Sequence, residues 1–289
     1  MKYQMIVLAK QVPDTRNVGK DAMNEDGTVN RKVLPAIFNP EDLNALEQAL
    51  LIKDRFPEST ITILTMGPPR AADLLREGLY RGADRAVLLT DRAFAGADTL
   101  ATSYALSQAI KHIGDFDLII GGRQAIDGDT AQVGPQVAEK LHIPQVTYTE
   151  EILDITQKDV TIRRHIDGGV ETVKAPLPLM ITVTGSATPC RPRHAKLVMQ
   201  YKRAMTPTEW ETTYPDRALL PVESPLHIAQ WSTQDVNADI AQCGLSGSPT
   251  KVKKVENINF VAKENRRLTG SDEEIESLIL ELLENHTIG

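Results

Sequence analysis

The chain has 289 residues, 41% of them hydrophobic and 25% charged, which is a globular composition with length for one large domain and an appendage. Acidic residues outnumber basic ones 39 to 32, for a formal net charge of -7, so a general polyanion-binding surface is disfavoured and nucleic acid is not expected as a partner. The two cysteines, Cys190 and Cys243, lie far apart with no CxxC or Cys/His spacing, which argues against a disulfide framework or a zinc site.

The N-terminus MKYQMIVLAKQVPD holds a short apolar run without a signal-peptide core, and no later run reaches membrane-spanning length. The expectation is a soluble cytoplasmic protein with no direct membrane insertion.

Met5 to Ala9, Ile61 to Met66, Ala86 to Leu89 and Leu118 to Ile120 are short aliphatic runs without polar alternation, as suits strands buried on both faces. Between them lie helical patterns: Leu43, Leu46 and Leu50 share one face, Leu106, Ala109, Ile110 and Ile113 a second, and Val133, Val137 and Leu141 a third. Asn39 before Pro40, with Asp42 following, reads as a cap, a first-turn proline and an acid near the positive end of the dipole. Asp98 before Thr99 is a second cap, and Asp129 with Gln132 has capping-box spacing. The alternation predicts an α/β fold with a doubly wound parallel sheet, in which the loops after Ala9, Met66, Leu89 and Ile120 converge where such sheets bind ligands.

Beyond Pro144 the pattern changes. Ile152 to Thr156, Val160 to His165 and Val170 to Val173 predict an antiparallel hairpin turning at Asp167-Gly168-Gly169, followed by a further strand over Leu179 to Val183. From Thr206, Pro207, Pro215, Pro221 and Pro225 predict an extended C-terminal arm, ending in an amphipathic helix with Ile275, Leu278, Ile279 and Leu282 on one face. That helix either packs on a partner or folds back on its own domain. The division expected is an α/β domain over 1–205 and an arm over 206–289.

The stretch GGRQAIDGDTAQVGP, Gly121 to Pro135, follows a buried strand and leads into a helix. Its glycines permit close backbone approach, and the amides from Asp127 to Gln132 enter a helix N-terminus that favours an anion, with phosphate the natural occupant. Neither GxGxxG nor a Walker A ending is present. Taken alone, the stretch reads more readily as a glycine-rich turn with a capped helix than as a phosphate site.

Other motifs accompany it in order: LAKQVPD (8 to 14), NPEDLNALEQAL (39 to 50), TMGPP (65 to 69), DRAFAGADTLATS (91 to 103), RHIDGGVET (164 to 172) and RHAKL (193 to 197), with GLSGSPTKV (244 to 252) as a looser match. Together these resemble the small (beta) subunit of electron-transfer flavoproteins over about residues 1 to 204. The resemblance implies an adenine nucleotide alpha hydrolase-like domain paired with a larger, flavin-carrying alpha subunit, which the arm would embrace. It places nucleotide contacts at Ala9, Lys10, Asn39, Pro40, Asp42 and Met66. The rest fall in one loop: Gly122, Arg123, Gln124, Ala125, Ile126, Asp127, Gly128, Asp129, Thr130, Ala131, Gln132 and Val133.

Simple carriers of the family hold AMP in this site and pass electrons between dehydrogenases and a quinone reductase, whereas electron-bifurcating members hold a second FAD. VPD, TMGPP, FAGADT and DGDTAQVGP resemble the bifurcating type. That type implies hydride delivery from NADH to the FAD, then division of the electrons between the alpha-subunit FAD and ferredoxin or flavodoxin, with a flavin dehydrogenase as a further partner. The cofactor carries such chemistry, so no side chain is expected to act as acid, base or nucleophile. Phe94, Gly96, Asp98 and Thr99 are candidates for a wall facing the flavin or nicotinamide, with a plain helix cap as the other reading of Asp98.

Leu197 aligns with the family's apolar anchor for dehydrogenase partners. The basic cluster around it, Arg191, Arg193, Lys196, Lys202 and Arg203, reads either as part of that recognition loop or as a solvated surface. Asp127 and Asp129 suit a turn and a cap better than a metal, and none is expected. His165 and His194 read as surface residues. An ATP-using enzyme of the same fold group would need a glycine-rich phosphate loop after the first strand, where Lys10-Gln11-Val12-Pro13-Asp14 stands instead. A free-standing nucleotide-binding stress protein would have no use for the arm.

Overall fold

The β-branched and aliphatic runs do form buried strands. The structure, a computed structural model, describes residues 1–14, 35–250 and 267–284. The main strands before the hairpin are β1 (Gln4–Leu8), β4 (Thr60–Met66), β5 (Arg85–Leu89) and β6 (Leu118–Gly122), and a short antiparallel pair, β2 (Gln11–Pro13) and β3 (Ala36–Phe38), follows β1. Helices α1 (Pro40–Arg55), α2 (Ala72–Leu79), α3 (Thr99–Ile113) and α4 (Val133–Leu141) alternate with them. Then come β7 (Gln145–Ile155), β8 (Asp159–Ile166), β9 (Gly169–Pro176) and β10 (Leu179–Val183), followed by α5 (Ala195–Tyr201), α6 (Pro207–Thr213), β11 (Ala229–Trp231) and α7 (Asp272–Glu284).

Nine strands make one sheet in the order β11-β5-β4-β1-β6-β10-β7-β8-β9. Pairings from β11 through to β7 are parallel, and those of β7 with β8 and β8 with β9 are antiparallel. The chain winds outward from β1 through β4 and β5, then returns to the other side of β1 as β6 and β10. The topological switch point therefore falls between β1 and β6, where an open α/β sheet places its ligand crevice.

Alternate residues of each strand feed two cores. Met5, Val7, Ile61 and Ile63 pack with Leu46 and Ala49 of α1 and Leu75 of α2. Ile6, Leu64, Val87 and Ile119 pack with Ala105 and Ala109 of α3 and Val137 of α4. The doubly wound arrangement thus follows from strands apolar on both sides and helices apolar on one.

The hairpin turns on Asp167-Gly168, with Ile166 opposite Gly169 and Gly168 at φ 83°, a left-handed conformation that glycine adopts without steric cost. The strand before it, β7, begins at Gln145 and is longer than the apolar run Ile152 to Thr156 suggested.

The chain divides into two compact units, 1–252 and 253–289. Residues 206–252 thus belong with the sheet rather than to an extended arm beginning at 206. The prolines misled here for a physical reason: Pro207 opens α6 behind a complete Thr206/Glu209 capping box, and beyond the others β11 pairs in parallel with β5. In the second unit α7 matches the expected amphipathic helix, and none of its residues is buried within that unit. Lys251 and Val252 of the GLSGSPTKV run lie outside the described residues. Among the described residues, no helix is long and apolar enough to cross a membrane.

Candidate functional site

The loops at the carboxyl ends of β1, β4, β5 and β6 meet as the sequence predicted. Lys10 Nζ pairs with Asp127 at 2.7 Å, joining the β1 and β6 loops. Thr99 Oγ1 donates to Gln132 Oε1 at 2.8 Å, joining the β5 and β6 loops. Gln11 Nε2 reaches the carbonyl of Arg70 beyond β4 at 3.5 Å. Ala9 is buried, Met66 half-buried and Lys10 exposed at this edge.

The start of α1 behaves differently from expectation. Asn39 occupies the N-cap position but makes no side-chain cap bond. Its amide brackets the β6 loop instead, donating to the Gln124 carbonyl at 2.9 Å and accepting from the Ile126 N–H at 3.2 Å. Glu41 accepts from the Gln124 N–H at 2.9 Å and pairs with Arg123 at 3.1 Å. Asp42 accepts from the Gly122 N–H at 2.9 Å and from the Lys10 N–H at 2.8 Å.

Amides at 122, 124 and 126 are therefore held from below by residues 42, 41 and 39. Pro40 fixes the first helical turn that presents these side chains. Asp42 is buried, with the chief effect of raising its carboxyl to about 7; hydrogen bonds from Lys10, Asn39 and Gly122 oppose that shift, and Glu41 adds to it. Glu41 was not singled out from sequence; its signal was a second acid in the first helical turn.

Beyond these anchors the loop turns sharply. The N–H groups of Gly128 and Asp129 both donate to the Ala125 carbonyl. Asp129 and Ala131 have φ of 48° and 51°, left-handed values that cost a non-glycine residue roughly 1–2 kcal/mol. The capping box expected from Asp129 and Gln132 is not formed: Gln132 is the N-cap of α4, without a side-chain cap, and Asp129 accepts from Gln124 Nε2 at 2.8 Å. The left-handed turn carries the Asp129 carboxylate back toward its own loop. Among the described residues, the N–H groups of Thr130, Ala131 and Gln132 find no acceptor, and Thr130 and Gln132 are exposed.

The glycines contribute unequally. A Cβ at Gly122 would collide with Asp42 Oδ1 and lie 2.8 Å from the Asp42 nitrogen, whereas one at Gly128 would meet nothing within 4 Å. Of these two, Gly122 is the one required by close approach, and what approaches it is the start of α1; Gly134, inside α4, is likewise approached closely, by Thr182 and Met180 of β10.

The 91–99 loop is built around two carboxylates. Asp98 caps α3 by accepting from the Ala101 N–H at 3.0 Å, and its other oxygen accepts from Thr250 Oγ1 at 2.7 Å and the Thr250 N–H at 3.1 Å. Against the desolvation its burial imposes, these bonds hold its carboxyl below the usual range. Asp91 is likewise held low by the Ala93 N–H and by Thr233.

Phe94 is 6% exposed and packed into the core. Gly96 lies at φ 72° against Leu245, so the tail segment 244–250 lies over this loop. The residues missed from sequence, Asp91, Thr233, Ser248 and Thr250, signalled themselves only as a Ser/Thr-rich tail facing an acidic loop.

Leu197 is half-buried on α5 against the core. Arg191 is pinned by Asp54 at 2.7 Å and Glu47 at 2.8 Å, bonds that raise its pKa, and Arg193 pairs with Glu77 at 2.8 Å. Lys196, Lys202 and Arg203 are exposed. His194 is exposed, while His165 lies 3.3 Å from Ser186 Oγ and 3.4 Å from Glu150. Among the described residues no cluster suits a metal ion.

Against this geometry, the electron transfer flavoprotein domain matches residues 26–208. The chain belongs to the electron transfer flavoprotein family. Its relatives place it among the beta subunits. It is 42% identical to the electron transfer flavoprotein subunit beta of Clostridium acetobutylicum over 250 residues, 86% of each chain. It is also 42% identical, over 86% of each chain, to the caffeyl-CoA reductase-Etf complex subunit CarD of Acetobacterium woodii. Over nearly the whole length, 98% of this chain and 99% of the relative, it is 37% identical to the beta subunit of Thermoanaerobacterium thermosaccharolyticum. The electron transfer flavoprotein beta subunits are thus matched in sequence across the residues that build the switch-point loops.

Proposed function

We propose that this beta subunit holds FAD at the β1/β6 switch point and works in an electron-bifurcating flavoprotein with an alpha subunit, fed by NADH. The observation that carries the site is the left-handed turn at Asp129 and Ala131, which leaves the N–H groups of Thr130, Ala131 and Gln132 without acceptors among the described residues, in the same loop whose Asp127 pairs with the Lys10 ammonium. Such a nest at a helix start suits a phosphate or pyrophosphate.

FAD bound there would supply the conversion of a two-electron hydride from NADH into separate electrons for the alpha-subunit FAD and for ferredoxin or flavodoxin. The chain's own contribution is placement. Amides 130–132 and Lys10 hold the phosphates, Ala9 and Met66 line the nucleotide's side of β1 and β4, and the loop from Gly96 to Thr99 borders its far end. Phe94 supports that loop from the core. The name of the Acetobacterium woodii relative ties it to a reductase, which favours a dehydrogenase partner here, docked through Leu197.

The alternative is a carrier that keeps AMP on the same donors. Counting cofactors released by denaturing the co-purified heterodimer separates them: two FAD and no AMP are expected, and one FAD with one AMP would establish the carrier. In either case Thr130→Glu is expected to expel the nucleotide by charge repulsion; stoichiometric retention would refute the site.

A further inference from the structure

We infer that Asp42 is a positioning residue: its ionised carboxylate, without touching the nucleotide, sets the spacing of the two strand ends that form the switch-point crevice. This rests on the nucleotide site proposed above.

Strands β1 and β6 pair as far as Val7 and Ile120, and then they part. The β1 end follows β4, with the Ala9 N–H on the Leu64 carbonyl at 3.0 Å, while the β6 end follows β10, with the Arg123 N–H on the Val183 carbonyl at 2.8 Å. Asp42 spans the gap with one oxygen for each side. Its Oδ2 accepts from the Lys10 N–H at 2.8 Å and its Oδ1 from the Gly122 N–H at 2.9 Å. Gly122 lacks the Cβ that would force this junction open.

The neighbouring charges are already matched to each other. Glu41 of α1 pairs with Arg123 of the β6 loop, and the Lys10 ammonium pairs with Asp127. The Asn39 amide also lies beside the carboxylate and donates to it.

Both oxygens face N–H donors, so the arrangement requires an acceptor at each end. An asparagine offers one carbonyl and one NH2, and the NH2 must face a donor. A protonated carboxyl likewise gives up part of its capacity to accept. Burial raises this carboxyl to about 7, so the crevice should loosen as pH falls through neutrality.

The test uses the intact heterodimer stripped of nucleotide and titrated with FAD and with AMP from about pH 6 to about pH 8.5. Asp42→Asn is expected to assemble normally and bind roughly 10- to 100-fold more weakly at the alkaline end. Wild-type affinity should fall toward the variant's value as pH is lowered, while the variant's FAD affinity stays flat. Unchanged affinity in Asp42→Asn, or a variant that keeps the wild-type pH profile, would overturn the inference.

The wild-type FAD profile needs no variant, and a flat one would also overturn it, even if Asp42→Asn failed to fold. Thr130→Glu in the same series separates the two claims. If it binds nucleotide normally, the site itself is misplaced; if it expels nucleotide while Asp42→Asn does not weaken it, only the role of Asp42 fails.

Discussion

Gly122 shows how one missing atom fixes a functional edge. The first turn of α1 sits so close to the end of β6 that a side chain there must displace the Asp42 carboxylate or helix backbone. Gly122→Ala is therefore expected to cost about 1–3 kcal/mol, while Gly128→Ala, which points into open space, should change stability by roughly 0.5 kcal/mol or less. Denaturant midpoints of the two variants check this, and equal midpoints would contradict the close approach.

Much at this scale could be read from sequence, though not always in the right role. Asn39, Pro40 and Asp42 were found because they look like a helix start. Asn39 and Asp42 turn away from capping duty to grip residues 122–126, 80 or more positions on, and local spacing carries no signal for such a long-range exchange. Asp98 is the opposite case: its cap is local and was legible, but its second partner, Thr250, is not.

At the scale of elements, the joint between the 91–99 loop and the tail depends on that second partner. Asp98→Ala removes the α3 cap and the Thr250 clip together, and loss of the cap alone is expected to cost about 1–2 kcal/mol. The carboxyl is held below its ordinary range, so its contribution is present above the unfolded value of about 3.9 and is lost as pH falls through the lower folded value. Unfolding curves at neutral and at acid pH should therefore differ less in Asp98→Ala than in wild type, and an unchanged difference would remove Asp98 from the account.

Element identity was legible wherever apolar period decided it, as in β1, β4, β5, β6, α1 and α3. It failed for β11, whose three residues are too short for any period and become a strand only because the open edge of β5 accepts them. It failed again for α6, where a proline was read as a break when it was a first turn.

For the whole molecule, the position of the boundary changes what a truncation tests. Ending the chain at 205 removes β11 from the edge of β5, Glu209 from Arg76, and Thr233 from the Asp91 carboxylate. A loss of heterodimer in that variant would report damage to the sheet as readily as loss of an arm. Ending it at 252 spares every one of these contacts and removes only the unit that contains α7.

That helix carries Ile275, Ile279, Leu280 and Leu283 exposed, with acids in its first turn and no basic residue in its last. An amphipathic helix of this kind gains its stability by covering its apolar stripe. If the alpha subunit is the cover, the 1–252 variant should melt like the full-length beta subunit when isolated, yet bind its alpha subunit at least about tenfold more weakly, since several half-exposed aliphatic side chains lose their burial. Thermal unfolding of the isolated chain and titration against the alpha subunit read these two quantities separately. Lowered stability with unchanged binding would instead assign the helix to its own chain.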